Sequence, residues 1–332
     1  MEQNINPDNG VIAVCLASDA AYVQHLAAAM ASILKNKAPS DRIHFYILDG
    51  GIPAVEKERL ASLKDIADFD ISYVDIANWS KNVPELSLLD KKHLSKHISI
   101  TSCYRLFIHE LVPQVDRMIY LDCDLIVLQS LAEMYRKNMG KYLVLAVRDV
   151  ASQMCGFRMG IPRQYKNSGV LLLDTRRMRE QNMTARILQW IEKNIAQVQF
   201  GDQDILNGAL GNDLGPLADK WNVQALRRKT RFSLQKQPAI VHFLGAHKPW
   251  KETGVSRPHA EEYFRYLEMT PYSKSYREPT LYALRRHLKS ALLLSVSPFF
   301  SRTRSLRETY NTYRILGIRF RKKRDFSKFS RR

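Results

Sequence analysis

Tyr120-Leu121-Asp122-Cys123-Asp124-Leu125-Ile126-Val127 sets two carboxylates, one residue apart, between the end of one apolar run and the start of the next. A short apolar run of this kind reads as a buried strand, and ligands of open α/β sheets gather at the C-terminal ends of such strands. Asp122 and Asp124 therefore stand where hard oxygen ligands for Mn²⁺ or Mg²⁺ would be presented. Such an ion holds a diphosphate through its charge and its remaining coordination positions, so the implied ligand is a nucleotide diphosphate. Two acids at this spacing also arise in solvated turns, and the flanking sequence must carry the reading.

Upstream, Val11-Ile12-Ala13-Val14-Cys15-Leu16 is a continuous apolar run rich in β-branched residues, and an alanine-rich stretch with helical spacing follows from about Tyr22 to Lys35. Ile43 to Leu48 is a second strand, stopped at Asp49-Gly50-Gly51, and Pro53 opens a helix where no backbone donor is needed. Asp70 to Val74 is a third strand, Thr101 to Leu111 reads as a helix, and Arg117 to Leu121 is the strand that delivers the acid pair. This alternation predicts a parallel sheet covered on both faces.

Downstream the pattern becomes mixed, with strands near Tyr142 to Val147, Gly169 to Leu173 and Ala239 to Phe243, and helices near Thr184 to Lys193 and Asp204 to Leu210. A mixed half completing the sheet is expected, and no internal repeat is present. The predicted organisation is one α/β domain over residues 1–270, with a nucleotide-binding half at about 11–125 and an acceptor half at about 126–270, followed by a tail at 271–332.

Charge separates that tail from the rest. Residues 272–332 hold 17 Lys/Arg against Glu278, Glu308 and Asp325, so 14 of the net +18 charges fall there and only +4 on the other 271 residues. A basic tail serving an anionic surface fits this asymmetry better than a nucleic-acid-binding core. Leu281, Leu284, Leu288 and Leu292 recur at helical spacing beside Arg285, Arg286 and Lys289, an amphipathic basic helix suited to an interface or to packing on the domain. Further on, Tyr310, Tyr313, Phe320, Phe326 and Phe329 interleave with Arg and Lys, which favours anionic lipid or disorder over core. The apolar stretch Ala291 to Phe300 is broken by Ser295, Ser297 and Pro298 and falls short of the roughly 20 residues a spanning helix needs. The first residues show no basic-then-apolar secretory pattern, and Cys15, Cys103, Cys123 and Cys155 have irregular spacings. A cytoplasmic protein with reduced thiols, peripheral at the inner face of the cytoplasmic membrane, is expected.

Four further segments join the acid pair: Ala17-Ser18-Asp19 with Tyr22; Asn167-Ser168-Gly169-Val170-Leu171-Leu172-Leu173-Asp174; Gly201-Asp202-Gln203-Asp204-Ile205-Leu206-Asn207; and Val241-His242-Phe243-Leu244-Gly245-Ala246-His247-Lys248-Pro249-Trp250. From about Ile12 to Trp250 their order and spacing resemble glycosyltransferase family 8, in particular its bacterial lipopolysaccharide α-galactosyl- and α-glucosyltransferases. The resemblance implies a GT-A-type, single Rossmann-like nucleotide-sugar domain with a mixed central sheet, followed here by a basic helical tail. By similarity Asp19 meets the uracil and Tyr22 stacks on it, although the family often carries Asn where this chain has Ala21. Asp19 also suits the N-cap of the helix that follows. The metal ligands become Asp122, Asp124 and His242, a set that suits Mn²⁺, with Mg²⁺ as the substitute.

Cys123 joins the nucleotide-contacting set, Gly245 lets backbone approach the diphosphate, and Lys248 supplies a cation to the leaving β-phosphate. Arg105 and Asp149 are expected on the donor sugar, with Asn167, Asp202 and Gln203 lining the sugar and its reacting carbon; His97 lies in a segment the family places nearby. Taken singly, Arg105 is by default a solvated helix cation, Lys248 a surface lysine and His242 a core histidine.

The implied reaction moves galactose or glucose from UDP to a glycolipid or oligosaccharide acceptor with retention, and nucleic acid is not an expected partner. Two routes stay open. An enzyme nucleophile on the far face, nearest by analogy to Gln203, would form a covalent intermediate; alternatively the acceptor attacks from the leaving-group face. A sugar nucleotidyltransferase would favour a Gly-rich triphosphate loop after the first strand, and Ala17-Ser18-Asp19-Ala20-Ala21 is not one. A non-enzymatic lipid- or nucleic-acid-binding protein would have no need of the acid pair.

Overall fold

Val11–Ser18 forms strand β1, buried along almost its whole length as its unbroken apolar run requires. Helix α1, Val23–Asn36, is buried from Val23 to Leu34 save for Gln24, which its run of alanines permits: small side chains let a helix pack on more than one side. Strand β2 (Arg42–Asp49), helix α2 (Ala54–Ala61, N-capped by Pro53) and strand β3 (Asp70–Asp75) follow. A computed structural model describes residues 10–81, 103–150, 153–161, 164–225, 237–246, 248–251, 258–273, 301–303, 310–315 and 318–323.

The helix expected over residues 101–111 is shorter and broken. A 3₁₀ turn over Tyr104–Phe107 and a single α-turn over Ile108–Leu111 meet at Phe107, with φ −117°. All four residues of the 3₁₀ turn are buried, which a helix with one solvated face does not allow. Beyond it come β4 (Met118–Leu121), β5 (Leu125–Val127), β6 (Val144–Arg148), β7 (Lys166–Leu173) and β8 (Leu214–Pro216).

Seven strands form the main sheet in the order β3-β2-β1-β4-β7-β6-β8. β1 pairs in parallel with both β2 and β4, and β2 with β3, as the alternation over the first 130 residues predicts. β7 then runs antiparallel to β4 and to β6, which makes the sheet mixed. β8, unannounced in the sequence by any strand pattern, closes the edge with Pro216 where no further ladder is needed.

A second sheet of three strands, β5-β10-β9, uses β9 (Val223–Gln224) and β10 (Ile240–His242). Asp122 and Asp124 thus sit where the chain leaves one sheet and enters the other. Helix Ala260–Leu267 packs against α1, where the Tyr263 hydroxyl lies 2.6 Å from His25 Nδ1.

The chain divides into two compact units, Met1–Pro249 with Ser256–Tyr276, and Trp250–Val255 with Arg277–Arg332. In the second unit β11 (Ser301–Thr303), β12 (Tyr310–Ile315) and β13 (Ile318–Lys323) form an antiparallel sheet. The tail helix expected around Leu281 to Leu292 lies outside the described residues. Beyond residue 300 the described residues of the tail are strand, in keeping with the two-residue alternation of Ile318-Arg319-Phe320-Arg321. Among the described residues no helix is long and apolar enough to cross a membrane.

Candidate active site

β4 ends at Leu121 and β5 begins at Leu125, so the acid pair occupies a three-residue passage at the C-terminal edge of the main sheet. Its backbone is held on both sides: Asp122 N–H donates to Gly169 O at 2.9 Å, and Phe243 N–H to Asp124 O at 2.9 Å. Antiparallel pairing of β10 with β5 sets His242 opposite Leu125. A one-residue slip would turn that imidazole to the other face. As built, His242 Nε2 lies 3.0 Å from Asp124 Oδ1 and 3.5 Å from Asp122 Oδ2.

One ligand atom from each of Asp122, Asp124 and His242 falls within 4.8 Å of the others. Two carboxylates and an imidazole are a donor set that suits a divalent cation such as Mn²⁺. A Cβ placed on Gly169 would overlap both the His242 ring and the Asp122 carboxylate, so the cradle needs glycine there.

Cations are drawn to the same carboxylates. Lys248, only 9% exposed, puts its Nζ on Asp124 Oδ2 and donates to Phe243 O at 2.7 Å. Burial alone would raise the Asp124 carboxyl; Lys248 and His242 outweigh it and hold that carboxyl well below the usual range. Arg105 is buried, with Nη1 2.9 Å from Asp122 Oδ1 and Nε 3.2 Å from Asp202 Oδ2. It also donates to Ser168 O at 3.0 Å and lies over the Tyr120 ring at 4.6 Å. Burial opposes its charge, and Asp122 and Asp202 more than restore it. The solvated surface arginine that a helical 101–111 would carry is thus a buried clamp between two carboxylates.

Beyond Arg105 the site becomes a network of amides. Asp149 Oδ2 accepts from Asn167 Nδ2 at 3.1 Å and from Gln203 Nε2 at 3.0 Å. Gln203 Oε1 accepts from Asn167 Nδ2 at 3.0 Å and from the Ser168 N–H at 3.2 Å. Asp149, Asn167, Asp202 and Gln203 are all buried. Asp202 and Gln203 open the helix Asp202–Leu210, which starts after Gly201 at φ +52°.

At the same C-terminal edge, after β1, Asp19 Oδ1 accepts from the Ala21 and Tyr22 N–H groups, each at 3.0 Å. It shapes the turn before α1 rather than capping the helix itself, which starts at Val23. Tyr22 is 37% exposed, with its ring edge-on to His25 at 4.9 Å between centroids. Cys123 is buried with its Sγ 3.1 Å from Ala17 O, and burial pushes its thiol up, so it stays protonated beside the acids. Gly245 adopts φ +72°, a left-handed conformation that favours glycine.

One region of the first unit therefore gathers Asp122, Asp124, His242, Lys248, Arg105, Asp149, Asn167, Asp202 and Gln203. Asp19, Tyr22, Cys123 and Gly245 lie on segments that adjoin them in sequence or at the same sheet edge. His97 lies outside the described residues. Two contributors have no expected role in the sequence reading. Gly169 stands inside a quoted motif but looks like an ordinary strand glycine, and Asn222 belongs to no motif at all. Only its place after the buried Trp221 and before a two-residue strand gives any signal.

The model of "Glycosyl transferase family 8" matches residues 13–254. General stress protein A of Bacillus subtilis is 28% identical over 274 residues, covering 77% of this chain and 93% of that protein. Glycosyltransferase GlyE of Streptococcus pneumoniae is 26% identical over 264 residues, 74% of this chain but only 58% of GlyE's length. Among solved structures, the galactosyltransferase LgtC in complex with donor and acceptor sugar analogues aligns with TM-score 0.66 at 24% identity, covering 78% of this chain and 96% of that one. The bifunctional glycosyltransferase WbbM aligns with TM-score 0.66 at 19% identity over 81% of this chain and 51% of its own. At these identities the two structures show the shared fold.

Proposed function

The chain belongs to glycosyl transferase family 8 and is a glycosyltransferase, and from that premise we propose that it transfers galactose or glucose from a UDP-sugar with retention, using Mn²⁺. The observation that carries this reading is the convergence of Asp122, Asp124 and His242 beside a buried network of one carboxylate and two amides. A metal-diphosphate end and a hydroxyl-reading end lie side by side. Asp19 and Tyr22 would take the uracil, the first through its second carboxylate oxygen and the second through its exposed face.

Asp122, Asp124 and His242 would hold the ion, which supplies charge stabilisation for the departing diphosphate. Lys248 would move from Asp124 to the β-phosphate, exchanging one oxyanion for another. Asp149, Asn167 and Gln203 would bond the sugar hydroxyls directionally, and Arg105 would hold Asp202 in place against the ring. In the reaction the acceptor hydroxyl oxygen bonds to the anomeric carbon on the face the leaving group occupies. The carbon–oxygen bond to the β-phosphate breaks, and the hydroxyl proton passes to a departing phosphate oxygen.

This route is favoured over a covalent intermediate for a specific reason. Gln203 spends its amide on Asp149, Asn167 and Ser168, and Asp202 is paired with Arg105, so neither is a free nucleophile. The acceptor is read as a growing bacterial surface glycan of the lipopolysaccharide-core type, with the basic tail holding the enzyme at the inner face of the cytoplasmic membrane.

The test is UDP release from a panel of UDP-sugars with Mn²⁺, with Mg²⁺ and with chelator. Release that needs metal and is greatest for UDP-galactose or UDP-glucose supports the reading. Release from neither donor under any metal would sink it.

A further inference from the structure

The amides between the two ends of the site have a fixed polarity, and it can be read outward from Asp149. A carboxylate accepts and does not donate, so the Asn167 group facing Asp149 Oδ2 at 3.1 Å is its NH₂. Asn167 Oδ1 therefore faces the other way, where it accepts from Gly169 N–H at 3.0 Å and from Asn222 Nδ2 at 2.8 Å. That donation in turn points Asn222 Oδ1 at His242 Nδ1, 3.2 Å away. An amide oxygen only accepts, so Nδ1 must carry a proton. The lone pair of a neutral His242 is then left on Nε2, the nitrogen that faces Asp124 at 3.0 Å and Asp122 at 3.5 Å. Asn222 and His242 are each 2% exposed, so water does not compete for these bonds.

We infer that Asn222 is a positioning residue that fixes the tautomer and ring orientation of His242 for the cation and ties the metal centre to the sugar-binding amides. Metal-ligating histidines need a partner on the second ring nitrogen, and its loss typically costs 10- to 100-fold in metal affinity. A carboxylate or backbone carbonyl is a frequent partner. Here a side-chain amide fills that place, and unlike a carboxylate or a carbonyl it accepts from His242 while donating to Asn167. The inference rests on the reading of Asp122, Asp124 and His242 as a metal centre.

Two measurements on the full chain test it. In the ¹⁵N-histidine-labelled, metal-free protein, the His242 signals, assigned by their absence in His242→Asn, should show a proton on Nδ1. A neutral His242 protonated on Nε2 alone would overturn the inference without recourse to any variant. Titration with Mn²⁺ alone, followed by electron paramagnetic resonance, should show Asn222→Ala weakened by about 10- to 100-fold.

Asn222→Asp separates the two halves. It keeps an acceptor for Nδ1–H but has no donor for Asn167, so Mn²⁺ affinity should hold within about threefold. Affinity for UDP-galactose or UDP-glucose relative to UDP should fall about tenfold, the cost of one buried unpaired acceptor. An Asn222→Asp chain that loses Mn²⁺ as Asn222→Ala does, or that keeps full preference for the UDP-sugar, would overturn the link. Normal Mn²⁺ binding by wild type and Asn222→Ala alike overturns this inference alone. A wild type that binds no Mn²⁺ overturns the metal reading beneath it.

Discussion

At one end of the site two carboxylates, an imidazole and an ammonium share a few ångströms; at the other, one carboxylate is held by the amides of Asn167 and Gln203. On the proposed function, the charged end would exchange partners. Asp124 is held by Lys248, which a bound ion would have to displace, and its carboxyl is kept well below the usual range. In the amide end Asn167 and Gln203 already donate to acceptors within a buried network, which suits directional recognition. One site thus combines a labile electrostatic half with a pre-organised hydrogen-bonding half, and Arg105 touches both through Asp122 and Asp202.

The sharpest way to break this contrast is Asp124→Ala. It should abolish Mn²⁺ binding and lower UDP release by about a thousandfold or more, on the order of 4 kcal/mol in the barrier. Retention of metal-dependent turnover in that variant would mean the charged end is misassigned. Gln203→Ala should act at the other end. Turnover should drop about a hundredfold while the affinity for UDP with Mn²⁺ stays within a few-fold, because only the sugar loses partners. Equal loss of UDP affinity would show that the two ends are not separable.

Gly169→Ala sits between them. The added methyl would push on His242 and Asp122, and Mn²⁺ affinity should fall about tenfold with a smaller change in donor-sugar preference. Metal titration of the variant beside wild type decides it.

The smallest expected effect on activity is at His109, which belongs to neither end. Burial, aided by Arg179, lowers its pKa from 6.5 to about 4. The folded state therefore favours the neutral ring, and the stability this gives is complete above pH 6.5 and lost as pH falls toward 4. The loss is on the order of 3 kcal/mol. Thermal unfolding of wild type against His109→Gln from pH 7 to pH 4 should show the variant's acid sensitivity reduced, with turnover at pH 7.5 unchanged. Identical pH profiles would remove His109 from the acid response.

The two ends also differ in how far the sequence reveals them. The acid pair is legible because a strand's apolar period and its abrupt end at Leu121 are local, and Asp122 and Asp124 follow at once. The three parallel pairings among β1, β2, β3 and β4 are legible for the same reason. Arg105 is misplaced by the same local reasoning: a cation amid apolar residues suggests a solvated helix face, whereas a 3₁₀ turn buries it against Asp122 and Asp202. β8 is invisible because three residues with a glycine and a proline carry no period. The tail strands at 310–315 and 318–323 went unread because basic composition masks a two-residue alternation.

By itself the sequence determined the family, the alternating order of strands and helices in the first half, and the identity of the acids, amides and basic groups available for chemistry. Each of those is written in neighbouring residues or in motif order. Only the tertiary structure decided which of them meet. Residues 118 positions apart, Asp124 and His242, are joined by the register of β10 on β5. Residues 55 apart, Asn167 and Asn222, are joined by burial that leaves their amides no partner but each other and their neighbours. The polarity of that chain, from Asp149 to the imidazole, follows from hydrogen-bond geometry across four separate segments, and no local pattern encodes it.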